Sequence, residues 1–198
     1  MIKLVDVKKK FRESGLENVS FKLPNQGLYI LYGKSGSGKT TILNLLASLD
    51  KPDSGDVIMS NHKSTYMMQT DMLFYNLTVK ENLLIKLNVT TIDKKNYEHD
   101  LLNLCILLGI ESLLNEQVAV LSGGEKQRVA FARTMLGESD VILLDEPTSE
   151  LDLSNKNQIM EYLKKISQKK LVIIASHDNE IKNFADKVIL MKDGRVDE

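Results

Sequence analysis

Short runs of aliphatic and β-branched residues recur along the chain at Ile2 to Val7, Val19 to Leu23, Leu28 to Tyr32, Val141 to Leu144, Leu171 to Ala175 and Val188 to Met191, separated by longer stretches with helical spacing. That alternation predicts strands at the runs and an α/β layered fold. Val141-Ile142-Leu143-Leu144 and Leu171-Val172-Ile173-Ile174-Ala175 are apolar at every position, as parallel strands covered on both faces require, so they are the expected central strands. Between Thr78 and Leu136 the strand-like runs nearly vanish, while Leu83, Leu84 and Leu87, then Leu101, Leu104 and Leu108, mark helices with one apolar face. The pattern predicts one domain over residues 1–198, with a helical subdomain over roughly 70–136 inserted in its sheet.

The chain has 198 residues and is 42% apolar, enough to enclose a sizeable core within one globular unit. Its 26 basic and 27 acidic side chains leave a formal charge of −1, which argues against nucleic acid as a partner. Any anion it binds must be held locally. The single cysteine, Cys105, sits in an apolar run with no partner for a disulfide or a metal cluster and is expected to be a core thiol. The N-terminus lacks a signal-peptide pattern and no segment approaches the ~20 apolar residues of a membrane span, so a cytoplasmic protein is expected. The lysine runs Lys8 to Lys10 and Lys169-Lys170 read as solvated faces.

Three segments carry candidate chemistry. Gly33-Lys34-Ser35-Gly36-Ser37-Gly38-Lys39-Thr40 satisfies GxxxxGK[ST], follows a β-run and leads through Thr41 into a helix. Glycines let the backbone curl so that successive N–H groups and the helix start face a polyphosphate. Lys39 then reaches the β and γ phosphates, and the Thr40 hydroxyl coordinates Mg²⁺. Gly33, Ser35, Gly36, Ser37, Gly38, Lys39, Thr40 and Thr41 are thus the candidate nucleotide-binding set. Asp145 and Glu146 end a buried strand, where a parallel sheet presents ligands. Asp145 is placed to bind the metal or its water shell, and Glu146 to orient or deprotonate a water attacking the γ-phosphoryl group. Ser122 and Glu125 form a capping-box pattern ahead of an apolar helix. Gly123 and Gly124 between them leave N–H groups uncovered, so this segment reads both as a helix cap and as a dock for an anion from outside the subunit.

A phosphate loop, Leu121-Ser122-Gly123-Gly124-Glu125 and an apolar run ending in Asp145-Glu146-Pro147-Thr148, in that order, closely resemble the ABC ATPase superfamily over essentially the whole chain. The resemblance implies a P-loop NTPase fold of ABC-ATPase type, with a mostly parallel core sheet, a small antiparallel β-region and the inserted helical subdomain. It further implies ATP and Mg²⁺ as ligands and a homodimer in which Ser122, Gly123 and Gly124 contact the γ-phosphate held by the partner's phosphate loop. Gln69 resembles the family's glutamine near the metal and attacking water, Ser149-Glu150-Leu151-Asp152 its D-loop, and His177 its γ-phosphate-contacting histidine. Phe11 stands at about the position of the adenine-stacking aromatic.

The family's partner is a transmembrane permease, which would hold the chain on the inner face of the membrane. Met72, Leu73, Phe74 and Tyr75, just after Gln69, would form one wall of a groove for a permease helix. Within the family the segments from Ser35 to Thr41 and from Leu49 to Gly55 resemble compact exporter-type members that move bacteriocins, antimicrobial peptides, lipoproteins or macrolides. Asp145-Glu146-Pro147-Thr148-Ser149-Glu150 is equally at home in importers, which leaves the direction of transport open. The expected activity is ATP hydrolysis coupled to transport, with export of a peptide or similar substrate as the leading reading. The alternative is a soluble non-transport ABC ATPase such as one of iron-sulfur cluster assembly. A P-loop kinase or GTPase has no use for Leu121 to Glu125. The chain departs from common members in a short Gly55-to-Gln69 stretch, expected as a trimmed antiparallel region, and in Glu150, where a small residue is common. With Met191 to Val196 so near its end, the sequence is expected to carry no C-terminal regulatory domain.

Overall fold

The computed structural model describes residues 1–11, 14–59, 62–88 and 94–197. Every predicted run is a strand: β1 (Ile2–Lys10), β2 (Gly15–Leu23), β3 (Gly27–Tyr32), β6 (Val141–Asp145), β7 (Leu171–Ser176) and β8 (Lys187–Lys192). Three further strands join them, β4 (Ser54–Met59), β5 (Ser64–Met67) and β9 (Arg195–Asp197). The helices are α1 (Lys39–Leu46), α2 (Val79–Asn88), α3 (Lys94–Leu107), α4 (Gly123–Met135) and α5 (Leu153–Ile166). By backbone contacts the chain divides into two compact units. One comprises residues 1–66, 139–146 and 161–198, the other residues 67–138 and 147–160.

The first unit carries two sheets. A three-stranded antiparallel sheet has the order β2-β1-β4, and a six-stranded sheet has the order β5-β6-β7-β3-β8-β9. In the larger sheet β6, β7, β3 and β8 run parallel, and β9 returns antiparallel along β8. The mostly parallel core and the small antiparallel sheet are thus as the sequence led us to expect. β6 and β7 are buried at every position, which is why their sequences carry no polar alternation. Leu31, Leu143, Leu171, Ile173 and Ala175 pack with Ile42, Leu43, Leu45 and Leu46 of α1 and with the inward residues of β1 and β2 in one apolar cluster.

Register sets the working edge of this sheet. Tyr32 lies opposite Ser176, and Asp145 lies opposite Ala175. The carboxyl ends of β3, β6 and β7 are therefore level, and the residues that follow them, Gly33, Glu146 and His177, emerge side by side.

In the second unit α2, α3 and α4 pack together over Leu83, Leu101, Leu104, Val129 and Phe131, all buried. Cys105 is fully buried, and that burial pushes its thiol up to about 11, as fits a core thiol. Tyr97 is also buried and donates its hydroxyl to the Leu83 carbonyl at 2.6 Å, so the ring fills the core without leaving its polar end unpaired. Lys9 departs from the expected solvated face. Its Nζ donates to Asp50 Oδ1 at 2.7 Å and to the Lys51 carbonyl at 2.8 Å, because β1 carries it alongside the acidic turn after α1.

Candidate active site

β3 delivers the chain at Gly33 into a loop that doubles back before α1. The loop needs glycine at particular places: a Cβ on Gly33 would meet the Met191 carbonyl oxygen at 2.3 Å, and Gly38 has φ +100 with Leu16 Cδ2 2.5 Å from where its Cβ would stand. Gly38 caps α1 with no side-chain hydrogen bond, so the first N–H groups of the helix are left for something other than a side chain. Lys39 is buried and donates to the Gly33 carbonyl at 2.7 Å and the Lys34 carbonyl at 3.0 Å. Two of its three donors are thereby fixed, and the ammonium is held over the loop. Burial lowers the Lys39 pKa, against the opposing pull of Glu146 and Asp145. Ser37 Oγ is buried without a hydrogen-bond partner. An uncapped helix start, a buried cation and an orphaned hydroxyl in one loop fit a polyphosphate.

Thr40 and Asp145 meet at the same edge. Thr40 Oγ1 donates to Asp145 Oδ2 at 2.7 Å. Asp145 is buried, and that burial raises its pKa, opposed by the Thr40 hydrogen bond. Among the described residues no group of three or more His, Cys, Asp or Glu side chains could hold a metal ion. A hydroxyl and a single carboxylate are instead hard oxygen donors of the kind Mg²⁺ uses together with substrate phosphates and water.

One residue further, Glu146 adopts φ +50, a left-handed backbone that a β-carbon disfavours. Its N–H donates to the Ala175 carbonyl at 2.9 Å. Ser176 Oγ donates to Glu146 Oε2 at 2.8 Å while accepting from the Asp178 N–H at 3.1 Å, and His177 Nδ1 lies 2.7 Å from Glu146 Oε1. Both carboxylate oxygens are thus engaged, one with each residue at the end of β7. Phe11 is half exposed and shares a cavity of about 690 Å³ with Gly36, Lys8, Lys10, Glu17 and Asp193. The structure therefore brings Phe11 to the phosphate loop. Sequence reasoning missed Ser176, because only strand register reveals that it stands beside Glu146.

Gln69, Ser122, Gly123 and Gly124 belong to the second unit. Gln69 is exposed in the loop after β5. Ser122 caps α4 in a reciprocal box: Glu125 N–H donates to Ser122 Oγ at 3.4 Å, and Ser122 N–H and Oγ donate to Glu125 Oε2 at 2.8 and 2.7 Å. Those Ser122 bonds hold the Glu125 carboxyl below its ordinary value. Met72, Phe74 and Tyr75 are exposed and Leu73 is buried, on a loop whose backbone is pinned from two sides. Buried Asn82 accepts from the Phe74 N–H at 2.8 Å and donates to the Phe74 carbonyl at 2.9 Å, and Arg133 Nη2 donates to the Asp71 and Met72 carbonyls at 3.0 and 2.9 Å.

The profile of the ABC transporter family matches residues 16–149. The molybdenum import ATP-binding protein ModC of Haemophilus influenzae is 35% identical over 97% of this chain and 58% of its own length. The molybdate/tungstate import ATP-binding protein WtpC of Pyrococcus abyssi is 32% identical over 99% of this chain and 61% of its own length. The chain thus spans about three-fifths of these curated relatives. Among solved structures, the dimeric post-hydrolysis state of the ATP-binding cassette MJ0796, bound to ADP and Pi, superposes with a TM-score of 0.89 at 31% identity, covering 100% of this chain and 97% of that one.

Proposed function

This chain belongs to the ABC transporter family, and from that premise we propose that it is the ATP-binding and ATP-hydrolysing subunit of a membrane transporter, working as a dimer around two Mg-ATP. The observation that carries the proposal is Glu146. Its carboxylate is gripped by Ser176 and His177 one residue beyond the Asp145–Thr40 pair, beside an open phosphate loop.

Lys39 and the N–H groups of Gly36 to Thr41 hold the β and γ phosphates, with Ser35 and Ser37 lining the loop. Phe11 stacks on the base. Thr40 and Asp145 would hold Mg²⁺, which would neutralise charge developing on the transferred phosphoryl group. Glu146 orients and deprotonates the attacking water, Ser176 fixes its carboxylate, and His177 joins it at the γ-phosphate. Ser122, Gly123 and Gly124 receive the γ-phosphate bound by the partner subunit, so each site is shared; the dimeric MJ0796 structure supports this reading.

The exposed Met72, Phe74 and Tyr75 support docking of a permease helix, which would tie the chain to the membrane; among the described residues no helix is long and apolar enough to cross it. The relatives' names point to import of an oxyanion such as molybdate or tungstate, and the peptide export expected from the sequence finds no support among them. Co-purification of a permease with the native chain, lost in Phe74→Ser/Tyr75→Ser while ATPase activity persists, checks the docking and identifies the cargo pathway; undiminished association would refute it. For the chemistry, Glu146→Gln keeps the side-chain shape but removes the base. ATP binding should persist, dimers accumulate and turnover fall by about 10²- to 10⁴-fold. Unchanged turnover would move the base elsewhere.

A further inference from the structure

Glu150 stands where a small residue is common in the family, and the fold places its carboxylate against the start of α4. A Cβ on Gly123 would meet Glu150 Oε2 at 2.2 Å and Cδ at 3.3 Å, and one on Gly124 would meet the Glu150 carbonyl at 3.0 Å. The contact is anchored. Glu150 N–H donates to Gln127 Oε1 at 2.9 Å, and Gln127 Nε2 donates to Ser149 Oγ at 3.0 Å, so the loop is tied to the first turns of the helix whose start it covers.

The capping box accounts for the N–H groups of Ser122 and Glu125 and leaves those of Gly123 and Gly124 outside it. Two carboxylates flank this helix start, and they differ in how they are held. Glu125 is bound by both groups of Ser122, whereas among the described residues Glu150 is hydrogen-bonded through its backbone and not through its carboxylate. A negative charge beside a helix N-terminus is favoured by the local dipole, so the side chain rests there without a tight bond. It also has somewhere to go. A cleft of about 330 Å³, lined by Glu150 together with Gln69, Asp71, Tyr75 and Lys126, opens next to it, and Lys126 offers a cation on the same wall.

We propose that Glu150 is an intramolecular inhibitor of the Leu121-to-Glu125 segment: its carboxylate occupies the place beside Gly123 that the partner's γ-phosphate must take, and swings into the adjacent cleft when the dimer closes. This rests on the shared-site reading above. Two anions at one helix start repel each other, so dimerisation must displace the carboxylate, and the subunit is biased towards the open state until ATP is bound on both sides.

The test uses the full chain carrying Glu146→Gln, alone and combined with Glu150→Gln or Glu150→Ala. ATP-dependent dimerisation is followed by light scattering against protein concentration at about 0.05 and 0.5 M salt. Both Glu150 variants should reduce the dimer dissociation constant about two- to fivefold per site at low salt, with the gap closing at high salt. Equal or raised midpoints would overturn the inference alone, as would a gain from alanine without one from glutamine, which would make bulk rather than charge the obstacle. Bound ATP without dimers in any of the chains would instead bring down the shared-site reading, and the inference with it.

Discussion

α1 follows a glycine cap and α4 begins with a pair of glycines, and both starts are proposed phosphate sites, yet they are constructed differently. α1 has Gly38 in a left-handed conformation as its cap, no side chain on its N–H groups and a desolvated cation at its first position. α4 has Ser122 and Glu125 closing a reciprocal box, with a second carboxylate from Glu150 beside Gly123. The first is incomplete without an anion. The second has its cap filled by its own side chains, and under the proposed exchange it would admit an anion only as Glu150 leaves. A site that grips nucleotide for a whole cycle and a site that must open and close in each cycle place different demands on the same helix-terminus physics.

Lys39→Ala should break the contrast at its stronger end. Loss of the ammonium should weaken ATP binding by about 10- to 100-fold, the value of charge-assisted bonds to two phosphates. Because Lys39 is buried and its charge is disfavoured by that burial, nucleotide-free melting should stay level or rise. Calorimetric titration with ATP and a thermal melt measure the two effects. Unaltered affinity would remove Lys39 from the binding set, and a large loss of apo stability would make it a structural residue.

A smaller effect sharpens the α4 side. Ser122→Ala should cost about 1 kcal/mol of unfolding free energy at neutral pH, as loss of a helix cap does. Part of that contribution is linked to protons. Glu125 has its folded pKa depressed below 4.5 by the Ser122 hydrogen bonds, so its share of stability is present above the unfolded value and disappears as pH falls through the folded one. Denaturant titrations from pH 7 down to about 3 should show the native chain and Ser122→Ala converging at the acid end. A constant difference across that range would mean that the box carries no proton-linked stability.

How much of this was visible in the sequence depended on whether a residue acts through its neighbours in the chain or across the sheet. The phosphate loop, the strand ending at Asp145 and the box from Ser122 to Glu125 are local patterns, and local patterns survive as text. β4 and β5 fall almost wholly in the Gly55-to-Gln69 stretch expected as a trimmed antiparallel region; β4 lies in the antiparallel sheet, whereas β5 joins the edge of the larger one. No apolar run marked their bounds, because both are short and β4 is exposed at four of its six positions. Ser176 could be assigned to Glu146 only once β6 and β7 were in register. Glu150 was legible as an unusual residue, but the position of its carboxylate over Gly123 follows from a backbone bond to Gln127 that no spacing rule predicts. Asn82 looked like any surface asparagine on a helix, and its burial behind Phe74 is a tertiary fact.

The pinning of the loop at Phe74 has a mechanical consequence. Arg133, near the far end of α4, holds the Asp71 and Met72 carbonyls, so the loop of exposed aromatics is tied to the same rod whose other end is the Ser122 cap. A helix of 13 residues is about 20 Å long, and a tilt of about 5° about one end carries the other roughly 1.7 Å. The bonds of Arg133 and Asn82 fasten the loop to its helices, so a tilt of α4 would be passed on to Phe74 and Tyr75. The helix would then work as a lever, with Arg133 as the rivet that delivers its stroke.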